Sequence, residues 1–479
     1  MDQGKSWGRW PQIGAAMLLA LAMLAAIMIG WTGFIASDDS LYFVGADHWL
    51  TDPPFAGDNH WSTRFPLLWS FAVMLLLFGR GYAAFAATAL LWYGVLVALV
   101  GLFATRMGGA RAGWIAALLA ATLPVVISNA TTVSVDLLET SLLLGGAWLL
   151  GEGGSGRVAL ARGATAGACF GLAILCRETS LLSLVALAPL FLIGRPVSRG
   201  ALIAAGVGLM VILGGEALFQ WLLMGEPLRR YDIAFHHDSH IDRAANLEGN
   251  FLIHPAIDPV LVLFINDDFG LLFWVASLAA LVRGRHLLPK ARSGALIVLA
   301  TMAAADFALV AVLTHKLVLN PRYFMLPAIL AIVIVALWLA RSTRWWRWPL
   351  LAGLVAINLL MLSVGNAHPR WEMDSLLAAS QAFPREMISG DPVMVRRARL
   401  PLRFAGRANL RYAPALPGGL VVAPESIAPR GLVLAHYPSP PTRLGGLIEA
   451  LGGRPFVPPA LRHRMFAPNQ TMLLVRTPR

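Results

Sequence analysis

Between residues 11 and 364 the chain is a succession of apolar runs, many of them roughly 17 to 25 residues long, parted by short hinges. At about 1.5 Å of rise per residue, a helix of that length crosses about 30 Å of hydrocarbon. A membrane barrel would instead show alternating segments of about ten residues. Composition agrees: 57% of the 479 residues are hydrophobic and 13% charged, and the mean hydropathy is +0.67. Soluble domains carry about a quarter charged residues. The sequence therefore predicts an all-α polytopic membrane bundle.

The net charge of +12 raises the question of nucleic acid. The arginines, however, are spread over the hinges and form no single stripe, so they predict membrane orientation and no nucleic-acid binding. Cys169 and Cys176 lie in one apolar helix, about 10 Å apart along its axis, too far to pair. The N-terminal run, residues 11–35, is too long for a signal sequence and lacks a small-residue cleavage site, so it reads as a first span.

Topology follows from charge. If the N-terminus is inside, the first span delivers ASDDSLYF (residues 36–43) to the outer face. Residues 66–78 are the test. As a span they would place Arg106, Arg111, Arg157 and Arg162 outside, against the positive-inside tendency. As a helix of about 20 Å they are also short for the hydrocarbon, so they read as an outer surface helix. Ten further spans then fall at residues 82–104, 112–129, 133–150, 163–176, 180–194, 201–223, 269–282, 294–313, 323–340 and 349–364. That makes about eleven, plus outer juxtamembrane helices, with every basic hinge inside. The Trp-rich RSTRWWRWP (residues 341–349) reads as an interfacial anchor.

Three long pieces are left outside: residues 36–81, residues 224–268 and everything after Val364. From residue 365 prolines become frequent and short β-rich runs appear (PVMVR, GLVVA, GLVLAHY, TMLLVR), with an amphipathic LGGLIEALGG. The expected division is a membrane-embedded domain, residues 1–364, and a small soluble α/β domain, residues 365–479.

Charges at membrane level are costly, and each invites a functional reading. Asp38 and Asp39 are followed by Tyr42, His60 and Arg64. Ser37 or Asp38 as a helix cap is the plain account of the acidic pair. A cap uses one carboxylate, though, while two adjacent ones beside low-dielectric material raise one pKa toward that of a useful base. Asp136 and Glu139 lie one turn apart at a span end, as a site or as a capping group with Ser134. Arg177 and Glu178 occupy the short outer turn CRET, as a local ion pair or as site residues. Lys316, Arg322 and Tyr323 frame another outer loop, where charge bias predicts no cations. An anionic lipid phosphate would account for them, because a guanidinium binds phosphate oxygens bidentately. His236, His237 and His240, with Asp238 and Asp242, resemble a metal cluster, but HExxH and closed Cys/His spacings are absent, so the metal question stays open. No Walker loop, no GxGxxG after a strand and no GxSxG elbow is present, which removes support for nucleotide-driven pumping and for serine-hydrolase chemistry.

Taken in order, these motifs resemble the C-class (GT-C) membrane glycosyltransferases, in the branch of protein O-mannosyltransferases and lipid A aminoarabinose transferases. Asp38-Asp39-x-x-Tyr42 resembles the family's acidic signature, HWSTRFPLLWSFAVMLLLFG its surface helix and TTVSVDLLETSLLL its Asp-bearing helix start. FGLAILCRETSLLSL resembles its hinge, with Arg177 in place of Lys, and NPRYFMLPAI its Arg-Tyr turn. The resemblance implies an inverting transfer of a sugar from a polyprenyl-phosphate carrier to a glycan, lipid or protein acceptor at the outer face of the membrane, and the Arg-heavy, Lys-poor usage points to a bacterial inner membrane. Asp38 would be the base, and Asp39 would orient the acceptor or hold a divalent metal. Arg322, helped by Arg177 or Lys316, would bind the donor phosphate beside Tyr323. Tyr42, His60, Arg64, Asp136, Glu139 and Glu178 would position donor or acceptor. A secondary transporter or flippase is the rival reading, and it requires charges near the bilayer midplane.

Overall fold

The computed structural model describes residues 9–236, 253–254, 256–287, 293–313, 319–364, 370–411 and 416–479. Helices dominate. In chain order the first ten are α1 (Arg9–Gly30), α2 (Asp38–Thr51), α3 (Phe65–Phe78), α4 (Tyr82–Gly108), α5 (Ala110–Thr122), α6 (Pro124–Ala130), α7 (Asp136–Gly151), α8 (Gly156–Cys176), α9 (Ser180–Leu184) and α10 (Leu187–Ile193). The bundle continues with α11 (Arg199–Met224), α12 (Arg229–His236), α13 (Asp258–Ile265), α14 (Leu272–Leu287), α15 (Ser293–Leu313), α16 (Met325–Arg341) and α17 (Arg347–Val364).

Among the described residues, seven helices are long and apolar enough to cross a membrane, and the bent pair α5 and α6 makes an eighth. The remaining expected spans are helical but shorter: α7, α9 with α10, and α14. Two boundaries move in an instructive way. Residues 112–129, expected as one span, bend by 63° between α5 and α6. Pro124 supplies the reason, since it has no N–H for the preceding turn and its ring displaces that turn's carbonyl. Residues 163–176 begin as a helix at Gly156, because Arg157 and Arg162 are good helix formers that extend the span.

The bundle has two unlike ends. At one, Glu152 behind α7 binds Arg106 of α4 at 2.7 Å and Arg162 of α8 at 3.6 Å, and Arg111 of α5 reaches the Ala340 carbonyl of α16. At the other lie the start of α7, the end of α8 and the turn before α16, joined through Arg177, Asp136 and Tyr323. Helix α3 starts and finishes at this second end. Arg64 before it binds Tyr42, Arg80 after it binds Asp47, and the Tyr82 ring then lies 5.9 Å from Phe34. It lies along the bundle's end and does not cross it.

Small residues set the closest helix contact. A Cβ on Gly167 would lie 1.8 Å from the Ala205 carbonyl oxygen, and one on Gly208 would lie 2.0 Å from that of Ala164. Backbones of α8 and α11 therefore touch directly, as apolar helices in lipid do when van der Waals packing holds them.

After α17 the chain forms α18 (Arg370–Ala382), α19 (Pro392–Phe404), α20 (Arg443–Ala450), α21 (Pro459–Phe466) and a five-stranded mixed sheet. Its strands are β1 (Ile388–Ser389), β2 (Leu410–Arg411), β3 (Leu420–Pro424), β4 (Leu432–Tyr437) and β5 (Met472–Arg476), in the order β2-β1-β3-β5-β4. GLVVA, GLVLAHY and TMLLVR are strands, and LGGLIEALGG holds helix α20. PVMVR is not a strand. It opens α19, because the Asp391 carboxylate accepts the N–H groups of Val393 and Met394 and Pro392 suits the first helical position. That cap overrides the β-branched pattern.

One apolar cluster joins the sheet to the bundle. Leu376, Met394, Leu420 and Leu474 pack in the same core as Phe43, Phe71 and Phe85 of α2, α3 and α4. The sheet is thereby seated on the end that carries Asp38.

Candidate active site

The site begins at the turn between α1 and α2. Ala36 holds φ +56°, a left-handed conformation that a residue with a Cβ rarely adopts. Asp39 fixes it. Its Oδ2 accepts the Ile35 N–H at 2.7 Å, and its Oδ1 accepts those of Ser37 at 2.8 Å and Ser40 at 3.0 Å. Burial pushes this carboxyl up to about 6, with the three backbone bonds pulling the other way. Neither Ser37 nor Asp38 caps α2 through a side chain. Asp39 is thus spent on the turn, while the Asp38 side chain, 34% exposed, projects from it.

Asp38 faces a cavity of about 180 Å³ that Asp39, Asn129, Ser134, Asp268 and Arg322 also line. Arg322 Nη1 lies 3.8 Å from Asp38 Oδ2. The arginine sits on a 3-10 turn, Pro321–Phe324, whose cap is Asn320, its side chain accepting the Arg322 N–H at 3.1 Å. Its buried Nε has no hydrogen-bond partner among the described residues. Opposite, the broken helix contributes: the Val125 N–H, in the first turn after the Pro124 break, donates to the Asp268 carbonyl at 3.0 Å.

A buried charge lattice backs this cavity. Arg177 Nη2 lies 2.5 Å from Asp136 Oδ1 and Nη1 lies 3.3 Å from Glu139 Oε2, with all three side chains at most 10% exposed. The Arg177 guanidinium also stands 5.1 Å from the centre of the Tyr323 ring, and that of Arg322 stands 5.8 Å from it. Tyr323 therefore ties both cations to one ring. Asp136 and Glu139 are partners of a long-range arginine and not caps, since the residue before α7 makes no side-chain capping bond.

Glu178 is not paired with its neighbour Arg177. It binds Arg230 at 2.7 Å, a fully buried arginine that also donates to the carbonyls of Thr63 and, at 3.2 Å, Ile174. Arg64 binds the Tyr42 hydroxyl and His60 Nε2. Two layers of arginine thus underlie the acid pair.

Among the described residues no group of three or more His, Cys, Asp or Glu side chains is arranged to hold a metal ion. His236 is exposed on α12, with Nδ1 3.2 Å from Asp232 on the same helix. His237, His240 and Lys316 lie outside the described residues. Sequence reading missed Arg230 and Asp268. Both left a signal: Arg229-Arg230 breaks the positive-inside pattern, and FINDDFG ends an apolar run in two aspartates, as ASDDSLYF does.

The polytopic helical bundle with a small mixed sheet seated on one end is similar to solved structures. Residues 65–220 match the family model of dolichyl-phosphate-mannose-protein mannosyltransferase. The fold is similar to that of ArnT from Cupriavidus metallidurans in the apo state, with a TM-score of 0.56 and 16% identity over 82% of this chain and 84% of that one. It is also similar to the oligosaccharyltransferase AglB from Archaeoglobus fulgidus, solved with an inhibitory peptide and a dolichol-phosphate, with a TM-score of 0.52 and 14% identity over 87% of this chain and 70% of that one. No curated protein matches the sequence. The chain thus shares the fold of these two membrane proteins.

Proposed function

We propose that this protein is an inverting glycosyltransferase that moves a sugar from a polyprenyl-phosphate carrier to an acceptor hydroxyl. The observation that carries the reading is Asp38 facing Arg322 at 3.8 Å at the rim of one cavity, a base and an anion-binding group in the same space. The match over residues 65–220 and the dolichol-phosphate held by AglB support the donor class.

In this reading the donor phosphate takes Arg322 away from Asp38. Asp38 then removes the acceptor proton, and the oxygen bonds to the anomeric carbon from the face opposite the phosphate. The bond from that carbon to the phosphate oxygen breaks with its electron pair, so the configuration inverts. Arg322 stabilises the charge gathering on the departing phosphate, and Tyr323 with Arg177 holds Arg322 in place. Because both Asp39 oxygens accept backbone N–H bonds, we assign Asp39 to shaping the turn. Tyr42, His60, Arg64, Asp136, Glu139 and Glu178 belong to the supporting lattice. Basic hinges at the far end favour an orientation with the site and residues 365–479 on the outer side of a bacterial inner membrane.

The test is release of polyprenyl phosphate from a panel of carrier-linked hexoses and pentoses by purified wild-type, Asp38→Asn and Arg322→Ala protein. Turnover by wild type that collapses in Asp38→Asn is expected; full activity in that variant would sink the assignment.

A further inference from the structure

The cavity beside Asp38 holds a third acid, Asp268, to which the chemistry above gives no task. It lies in the turn between α13 and α14, and no hydrogen bond or ion pair reaches its carboxylate among the described residues. Its neighbour Asp267 is different, being bound to Arg464 of α21. A half-buried carboxylate left open to a cavity is disfavoured unless something else satisfies it.

The backbone around Asp268 is held firmly. Its N–H donates to Asn266 Oδ1 at 2.8 Å, and its carbonyl accepts the Val125 N–H at 3.0 Å. Phe269, fully buried, anchors the next residue in the core. Gly270 follows at φ +53°, where a Cβ would lie 2.8 Å from Asn358 Oδ1. So Val125 of α6 and Asn266, Phe269 and Gly270 of the turn hold a backbone whose Asp268 side chain bonds to none of them. Fixing a polar group this way is what a binding site requires.

Space and position decide what it binds. A cavity of about 180 Å³ takes a small polar group such as one sugar ring. The phosphate end of that ring is taken by Arg322. We propose that Asp268 is a positioning residue for the donor sugar, its carboxylate accepting hydrogen bonds from ring hydroxyls inside the cavity it shares with Asp38. The assignment rests on the glycosyl-transfer reading and deepens it. Burial, together with the charge on Asp267, pushes the Asp268 carboxyl up to about 6, so above that pH it accepts from hydroxyls and below it donates.

The experiment compares wild type with Asp268→Asn and Asp268→Ala, using the carrier-linked sugar that wild type turns over, its single-deoxy analogues and sugar-free polyprenyl phosphate as a competitive probe. We expect kcat/KM in Asp268→Ala to fall about 10- to 100-fold, mainly through KM. Asp268→Asn should lose less. Sugar-free carrier should inhibit both variants as it does wild type, which also shows that they are folded. One deoxy donor, poor for wild type, should be no worse for Asp268→Ala than the parent sugar, the signature of a shared contact. Wild-type kcat/KM in Asp268→Ala, an equal loss of sugar-free carrier binding, or no deoxy donor that couples would each overturn the proposal. Failure of the wider reading looks different: Asp38→Asn would stay active and Arg322→Ala would still bind sugar-free carrier.

Discussion

Two sets of arginine–carboxylate pairs sit at opposite ends of one bundle, and they differ in what surrounds them. At the far end Arg106 and Arg162 share Glu152, and the arginine side chains are 47% and 38% exposed. At the cavity end Arg177 shares Asp136 and Glu139 with almost no exposure. Exposed pairs of the first kind contribute about 0–1 kcal/mol, because water screens them and long side chains lose entropy. Buried pairs are costly to desolvate and persist where geometry or function fixes them. The same residue types therefore line an exposed hinge in one place and back the candidate site in the other.

Substitutions separate the two ends further, and the largest effect belongs to the acid in the cavity. Asp38→Asn should lower the rate of carrier release by about 10²- to 10⁴-fold without a change in thermal midpoint, since general-base removal acts on the transition state alone. Arg177→Ala, next in size, leaves two buried carboxylates unpaired and should destabilise the protein by about 3–5 kcal/mol, read as a lowered melting temperature in detergent. Were Arg177→Ala to melt like wild type, the contrast drawn above would fail.

Titration gives a smaller effect with a definite sign. Asp39 and Asp268 lie outside the spans, and both carboxyls are pushed from 3.8 up to about 6. The folded protein holds these protons more tightly than the unfolded chain does. Their contribution to stability is complete below about pH 4 and is lost as pH rises through about 6. Melting curves from pH 4 to 7 should show that fall, and Asp268→Asn should flatten part of it. Arg106→Ala, the smallest change, should shift stability by less than about 1 kcal/mol and leave turnover intact, as assays at matched salt would show.

Much of the bundle was legible because apolar length and hinge charge are properties of contiguous sequence. α3 could be read as a surface helix from its length and from the arginines that follow it. The bend at Pro124 and the helix at Pro392 were less legible, although each has a local cause. In both, one proline or one capping aspartate outweighs a whole apolar or β-branched run. At the site, sequence offered the acid pair and the cations but not their partners. A local Arg177–Glu178 ion pair, one of the two readings the sequence allows, does not form: the fold pairs Arg177 with Asp136 and Glu139 on α7 and Glu178 with Arg230 on α12.

By itself, then, the amino-acid order determined a polytopic helical bundle, a surface helix, a sheet-bearing C-terminal segment and a set of charged groups at one end. These follow from hydrophobic period and charge bias, which act within a segment. Tertiary structure alone decided that Asp39 is consumed by three backbone N–H groups while Asp38 is free to face Arg322. It also decided that Asp268, some 230 residues away, enters the same cavity. Adjacent aspartates are chemically identical in a sequence. Only the backbone turn that buries one and exposes the other gives them different work.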